Sequence, residues 1–480
     1  MGSLPDGADI VVVGGGMSGL ELAVELARAG AGDVAVLEAG PDSGGHVNAA
    51  NDPGDALRMW LEPGLDPHLW RPWASASAPH FETMAGLRRR VGGRSLYWHG
   101  VVLPLDPWAL AEPWWPAEIV SDLTESWNSG PSLYDRVLSD VDQWRGGPAL
   151  PETSIDVAGR HLRTVPQAIR NLAGGRFKAY SPRDRLASAG AAVRLWTGAE
   201  VLEVLTEGGA VCGVRVVMDG SPGVHTIRTR TVVLAGGTVE NSRLAIQVLR
   251  PAGLIPEPRL GRLADKLVQG FVAALDPARV DPEVQRMADE EAFLFCSGDA
   301  TERSNLFVRF YRNAAGASVV DAWTMGENLA DDECVVECSP AGAPRWDTSV
   351  DVRYSASDTE SMARQRDVLT KLWNEFAPMA GPALSFPDAD RPERTLETVL
   401  PAVDALLPGD PPLTWSGPLG SEYHESGTLA FGRILTDRHE VDGVPGLYVA
   451  GPAAYPRPGA ANPSLTNLAL ARRLAGVLTR

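Results

Sequence analysis

The sequence predicts an α/β chain, α+β overall. A nucleotide-binding unit with a parallel sheet is pieced together from separated stretches around an inserted, mostly antiparallel unit. Three observations predict it. A strand, a glycine turn, a helix and a second strand open the chain within about 30 residues. Strand-type runs with no helical periodicity fill residues 271–354. Short apolar strands return at 193–236 and 446–451, ahead of a closing helix. At 480 residues the chain is long for one core, so two or three domains are natural.

Residues 9–13 read as a short buried strand, and Gly14, Gly15, Gly16 and Gly19 follow it. A helical pattern runs from about Ser18 to Ala29, with Leu20, Leu22, Val24 and Leu26 set among alanines and Gly30 as its C-cap. Residues 34–38 form the second strand. Residues 41–130 read as irregular, and nine of the fourteen tryptophans lie between Trp60 and Trp144. Packing is the weightier reading of that cluster, because Trp buries large area. The alternative has Trp98, Trp108, Trp114 and Trp115 lining a substrate entrance. Residues 193–236 are strands and end in the buried run 231–235. The strand-type runs 271–275, 306–311, 318–325, 334–338 and 350–355 predict an antiparallel sheet without intervening helices. Ser357 and Glu360 fit a capping box that opens a helix to about Phe376. Residues 381–413 read as Pro-rich loop. The helix from about Pro463 closes the chain, Pro suiting a first helical position. The expected division is 1–110, 185–270 and 415–480 for the nucleotide unit, and 111–184 and 271–414 for the inserted unit.

The formal charge of −18 repels phosphate backbones and anionic membrane surfaces, so no nucleic-acid or membrane partner is expected. No apolar run is long enough to span a bilayer. Met1 leads almost at once into the apolar residues 10–13, with no basic region before them and no cleavage site after, so a cytoplasmic protein is expected. Four cysteines are too few for a disulfide framework in a chain of this length. Cys334 and Cys338 share a strand and read as buried thiols, with no metal site expected. Lys178, Lys266 and Lys371 are the only lysines, which leaves few candidates for Schiff-base chemistry.

Gly14-x-Gly16-x-x-Gly19 lies between strand and helix, the arrangement of a Rossmann-like dinucleotide site. Gly14 permits the tight turn, Gly16 lets the backbone approach a pyrophosphate, and Gly19 lets helix and strand pack closely. Met17 and Ser18 lie where the turn meets the helix, whose N-terminus offers free N–H groups to phosphate charge. Glu38, followed by Ala39, ends the second strand where a carboxylate accepts hydrogen bonds from ribose hydroxyls. An acid there disfavours the 2′-phosphate of NADP but does not separate NAD from FAD.

Three later segments go further: Arg90 to Trp98 (RVGGRSLYW), Val232 to Leu244 (VVLAGGTVENSRL), and the stretch with Tyr423 to Thr428 (YHESGT), Gly446 to Pro456 and Asn462 to Leu470. With the N-terminal block they resemble the glucose–methanol–choline (GMC) oxidoreductases, FAD enzymes that oxidise alcohols. The resemblance covers roughly half the chain and says little of 275–410. Its motif wording is nearest to bacterial pyranose-oxidase and glycoside-oxidase types. It implies FAD held by Gly92, Gly93 and Ser95, by Val201 at the adenine, by Ala235 and Gly236, and by Gly451, Pro452, Asn462, Pro463 and Ser464 near the pyrophosphate and flavin. The helix after Pro463 would then direct its positive end at the flavin. Where several family members link FAD through a His, this chain has Tyr97, which implies non-covalent FAD, with His99 two residues on.

Alcohol oxidation needs a base for the hydroxyl proton, and His suits neutral pH. Of eight histidines only His424 falls in a motif of the family. The resemblance implies His424 as base and Asn462 as donor to the substrate oxygen. Tyr423 and Glu425 either tune the base or pack beside it. The implied activity is oxidation of a sugar or glycoside hydroxyl, with O2 or another acceptor taking the electrons. The alternative is a non-redox lyase or decarboxylase on the same scaffold, and a NAD-dependent dehydrogenase is a third, more distant reading.

Overall fold

The protein is described by a computed structural model over residues 4–82, 84–146, 152–377 and 382–480. A five-stranded parallel sheet runs in the order Val193–Thr197, Val34–Glu38, Ile10–Val13, Val232–Leu234, Leu447–Val449. Its three inner strands are buried at every residue, which explains their unbroken aliphatic runs. On one face Ile10, Val12, Val34 and Val36 meet the helices Met17–Arg28 and Ser464–Leu478. On the other, Val11, Val13 and Leu234 meet Val239 and Leu244 of the helix Thr238–Leu249. An antiparallel ribbon, Ala199–Glu207, Ala210–Met218 and Val224–Arg228, follows the edge strand.

A second, seven-stranded sheet is antiparallel throughout, in the order Leu413–Gly417, Lys266–Ala274, Ser318–Glu327, Ser304–Arg312, Phe293–Cys296, Arg160–Thr164, Ser154–Val157. One face packs Phe271, Leu294 and Phe310 against the helices Pro282–Asp289 and Ala356–Phe376, through Met287, Leu369 and Trp373. The opposite face carries Phe293, Phe307, Trp323 and Trp415, which line the large cavity described below. Among the described residues no helix is long and apolar enough to cross a membrane.

Several expectations need correction. The first helix runs Met17–Arg28, one residue earlier than expected at each end. A helix at Pro282–Asp289 interrupts the strands of 271–354, because Asp281 caps it by accepting the Glu283 N–H. Within 382–413, read as loop, Leu396–Val403 is helical and buries Val399 and Val403 against the sheet edge; residue 381 lies outside the described residues. The capping box is formed by Ser355 and Asp358, two residues before the expected pair. The closing helix starts at Ser464, so Pro463 precedes rather than opens it. Val335–Ser339 and Asp347–Asp351 belong to a separate four-stranded sheet with Arg259–Leu260 and Ala74–Ser75. The boundaries expected at 270/271 and 414/415 each cut a strand of the seven-stranded sheet, since backbone pairing continues across both. Cys334 and Cys338 are both buried, and burial pushes their thiols up to about 11 and about 12.

Candidate active site

A cavity of about 1460 Å³ lies between the parallel sheet and the aromatic face of the seven-stranded one. Single ligands occupy pockets of about 300–1,000 Å³, so this one has room for a dinucleotide with a further molecule beside it. Its floor is the glycine turn. Gly14 has φ +107°, and a Cβ there would lie 2.6 Å from the Ala235 carbonyl oxygen. Beside Gly16 no atom of the described residues lies within 4 Å of where a Cβ would stand, so the turn is open towards the cavity. Gly92 donates to the Gly15 carbonyl at 2.7 Å, which seats the 90–96 segment on the same turn.

Glu38 is buried. One oxygen accepts the Gly15 N–H at 2.8 Å, the other the Gly40 N–H at 2.8 Å. Burial raises its pKa, against the pull of those two bonds and of Arg89. Asn241 ties neighbouring strand ends together: it accepts the Gly236 N–H at 2.8 Å and donates to the Leu234 and Ala450 carbonyls. Arg243, fully buried, donates to the Val201 and Leu202 carbonyls and fixes that strand beside the cavity.

Gly14, Gly16, Met17, Ser18, Glu38, Ala39, Gly93, Ser95, Val201, Ala235, Gly236, Gly451, Pro452, Pro463 and Ser464 all line the cavity, as do His424 and Asn462. Gly19 and Gly92 do not. Gly19 lies where a Cβ would overlap the Gly14 carbonyl, and Gly92 where one would meet Leu96. Both shape the turn from behind, which is a packing role.

His424 sits on a segment held from several sides. Asp265 accepts the N–H of His424 at 3.0 Å and those of Gly420 and Glu422 at 2.6 and 3.4 Å. Arg94 makes a two-pronged pair with Glu425, and it also reaches the Tyr423 carbonyl at 3.0 Å. Thr238 donates to the Glu425 carbonyl. Glu425 therefore locks the segment, and the Tyr423 hydroxyl accepts from Arg88 at 3.1 Å. The Nδ1 of His424 and the Oδ1 of Asn462 are buried without a hydrogen-bond partner among the described residues. Burial, then the charges of Lys266 and Arg94, lower the His424 pKa well below its usual value, which favours the neutral, proton-accepting imidazole. Burial lifts Asp265 to about 7, with the Glu425 charge adding to it, and lowers Lys266 to about 8.

The far wall is aromatic. Phe307 and Trp323 stack at 5.4 Å and 12°, and Phe293 stacks on Trp323 at 5.6 Å. Trp415 lies across Gly270, where a Cβ would come within 2.7 Å of its ring. Polar atoms punctuate this wall: the Trp415 Nε1 and the Asp321 Oδ1 are buried and have no hydrogen-bond partner among the described residues. Asp321 stands opposite Arg309 in the register, and burial lifts its carboxyl to about 7. Glu422 lines the same cavity and is lifted to about 8 by burial and by Asp265. Of the four tryptophans considered for an entrance, Trp98 lines the cavity, and Trp108, Trp114 and Trp115 do not. Trp115 is core, donating to the Arg457 carbonyl at 3.2 Å. Tyr97 lies under Arg88, and its hydroxyl accepts from Arg90 at 3.2 Å.

Sequence reasoning missed Asp265, Lys266, Arg94 and Arg243. For the first two a signal existed: an Asp-Lys pair leading into a mostly apolar strand is drawn into the interior with it, and buried charges require partners.

Residues 12–81 match the family model described as an NAD(P)-binding Rossmann-like domain, and residues 340–471 match that of GMC oxidoreductase. The fold is similar to the solved structure of pyridoxine 4-oxidase from Mesorbium loti, with a TM-score of 0.62, 18% identity and coverage of 98% of each chain. No curated protein matches the sequence.

Proposed function

We propose that the chain is a GMC-type, FAD-dependent alcohol oxidoreductase that oxidises a secondary hydroxyl of a sugar, a glycoside or a sugar-bearing natural product to a carbonyl. The observation that carries this reading is the pair of buried, unpartnered atoms, His424 Nδ1 and Asn462 Oδ1, on the cavity that also holds the glycine turn. Buried polar atoms are nearly always paired, so these two, left open on the cavity as the Trp415 Nε1 and the Asp321 Oδ1 also are, support a ligand that takes up their hydrogen bonds.

The residues fit FAD. The space beside Gly16 admits a pyrophosphate, and the helix beginning at Met17 turns its N-terminus to it. Each Glu38 oxygen uses one lone pair on backbone and keeps another for a ribose hydroxyl. FAD, when bound, supplies the hydride acceptor. His424 takes the hydroxyl proton, and its lowered pKa keeps it ready to do so at neutral pH. Asn462 donates from its amide to the substrate oxygen and holds the carbinol in place. The closing helix, starting at Ser464, adds its positive end to that corner. Tyr97, engaged by Arg90, supports non-covalent FAD.

Two features support a ring-bearing polyol. The stacked Phe293, Trp323 and Phe307 offer an apolar surface to a ring face, and Asp321, Arg309 and Trp415 offer hydrogen bonds to its rim. The test is a visible spectrum of the purified protein, repeated anaerobically with glucose, methyl glucoside, phenyl glucoside, benzyl alcohol and pyridoxine, the last taken from the name of the similar oxidase. Flavin bands bleached by a sugar or glycoside support the proposal. Bleaching by benzyl alcohol or pyridoxine alone keeps alcohol oxidation and overturns the sugar class. Flavin bands that none of them bleaches overturn the proposed substrate and reaction together.

A further inference from the structure

We propose that the adjacent residues Asp265 and Lys266 are positioning residues that set His424 and Asn462 at their working separation, an inference that rests on the catalytic pair assigned above. The two stand at the head of the strand Lys266–Ala274, and both are buried almost completely, at 0% and 1% exposure. Asp265 reaches one catalytic segment. One carboxylate oxygen accepts from Gly420 and Glu422, and the other from His424 itself. Lys266 reaches the other segment: its ammonium donates to the carbonyls of Pro458 at 3.1 Å and Gly459 at 2.5 Å, just ahead of Asn462. Consecutive residues, the first just before and the second opening one strand, thus grip both segments, and the relative placement of the two catalytic side chains is inherited from a single peptide unit.

Burial of two charges is costly, and apolar residues of the same size would often serve stability equally well. What apolar residues lack is directed hydrogen bonds, and these two charged groups spend all their described ones on the backbone of the catalytic segments. The His424 segment needs such a hold, because Tyr423 sits at φ +59°, a left-handed conformation unfavourable to a bulky residue. The strand end is itself anchored: the Asp265 N–H is accepted by Asn328, whose amide donates to Asp358 in the capping box of the long helix.

The test uses the holoenzyme and the alcohol of the panel above that reduces the wild-type flavin fastest. In Asp265→Asn an amide NH2 replaces one accepting oxygen and faces either the His424 N–H or those of Gly420 and Glu422. FAD content, read from the visible spectrum, stays at the wild-type level. The limiting rate of flavin reduction falls about 10–100-fold, the scale of a misplacement near 1 Å, while the half-saturating alcohol concentration changes little. In a His424→Ala background, Asp265→Asn adds no further slowing, because it acts through the imidazole. A wild-type rate in Asp265→Asn, or full slowing in the His424→Ala background, overturns the inference. If Asp265→Asn does not accumulate as folded protein, Lys266→Met against Asn462→Ala carries the same comparison with the same criteria. A wild-type flavin that no panel alcohol reduces removes the catalytic pair, and this inference with it, and is told apart by failing before any variant is made.

Discussion

Replacing Arg94 by Met removes the guanidinium that both oxygens of Glu425 bind. The Glu425 side chain is 3% exposed and that of Arg94 28% exposed, so the carboxylate is left charged, buried and close to Asp265. Burial opposes the Arg94 charge, yet Glu425 holds the Arg94 pKa above the usual arginine value, a sign that the attraction outweighs the desolvation. Breaking one side of a buried pair costs about 3–5 kcal/mol; with water reaching one edge of Arg94 the low end applies, about 3 kcal/mol. With an unfolding entropy of about 2.1 cal/mol/K per residue, a chain of 480 residues loses roughly 1 °C per kcal/mol, so the unfolding midpoint falls by about 3 °C. Glu425→Met, which strands the guanidinium, has a similar effect. The double variant Arg94→Met/Glu425→Met leaves no stranded charge and recovers about 2–3 kcal/mol of the summed loss. The assay is thermal unfolding of all four proteins at one fixed excess of FAD, followed by tryptophan fluorescence. Single variants within about 1 °C of wild type, or a double variant whose loss equals the sum, would refute the argument that this pair is a buried, mutually dependent lock on the His424 segment.

His424→Ala keeps FAD bound and slows flavin reduction by about 10²–10⁴-fold, the range for losing a general base; reduction at the wild-type rate would remove His424 from that role. The two glycines of the turn separate in their effects. Gly16→Ala leaves the protein folded and weakens FAD binding, because its new methyl enters open cavity, whereas Gly19→Ala destabilises the apoprotein by overlapping the Gly14 carbonyl. Apoprotein melting and flavin titration distinguish them, and equal melting temperatures for the two variants would contradict this. Asp321 is raised to about 7 by burial, so the folded state holds its proton where the unfolded chain, near 3.8, has lost it. The stabilisation is complete below about pH 3.8 and is lost as pH rises towards about 7, so wild type loses melting temperature between pH 5.5 and 7.5 relative to Asp321→Asn. Parallel melting curves across that window would show that Asp321 is not held protonated.

The two ends of the chain were legible because their chemistry is local. A glycine turn between a strand and a helix, an acid at the end of the next strand, and a His and an Asn inside short motifs each require only near neighbours in sequence. For the same reason Glu38, His424 and Asn462 were all named, and they line one cavity. The short helices Pro282–Asp289 and Leu396–Val403 were missed because two turns carry little periodicity and are held by packing against a sheet. The strand-like middle was recognised, but not its division into a seven-stranded and a four-stranded sheet, since pairing partners lie far apart in the chain. By itself the sequence determined the nucleotide turn, the family it resembles and the residue types able to move a proton. Only the tertiary structure decided what holds them: Arg94 on Glu425, Asp265 on the His424 segment, Lys266 ahead of Asn462, and an aromatic wall opposite. The three polar contacts each join residues well over a hundred positions apart, and the energy of a buried charge depends on which distant group meets it.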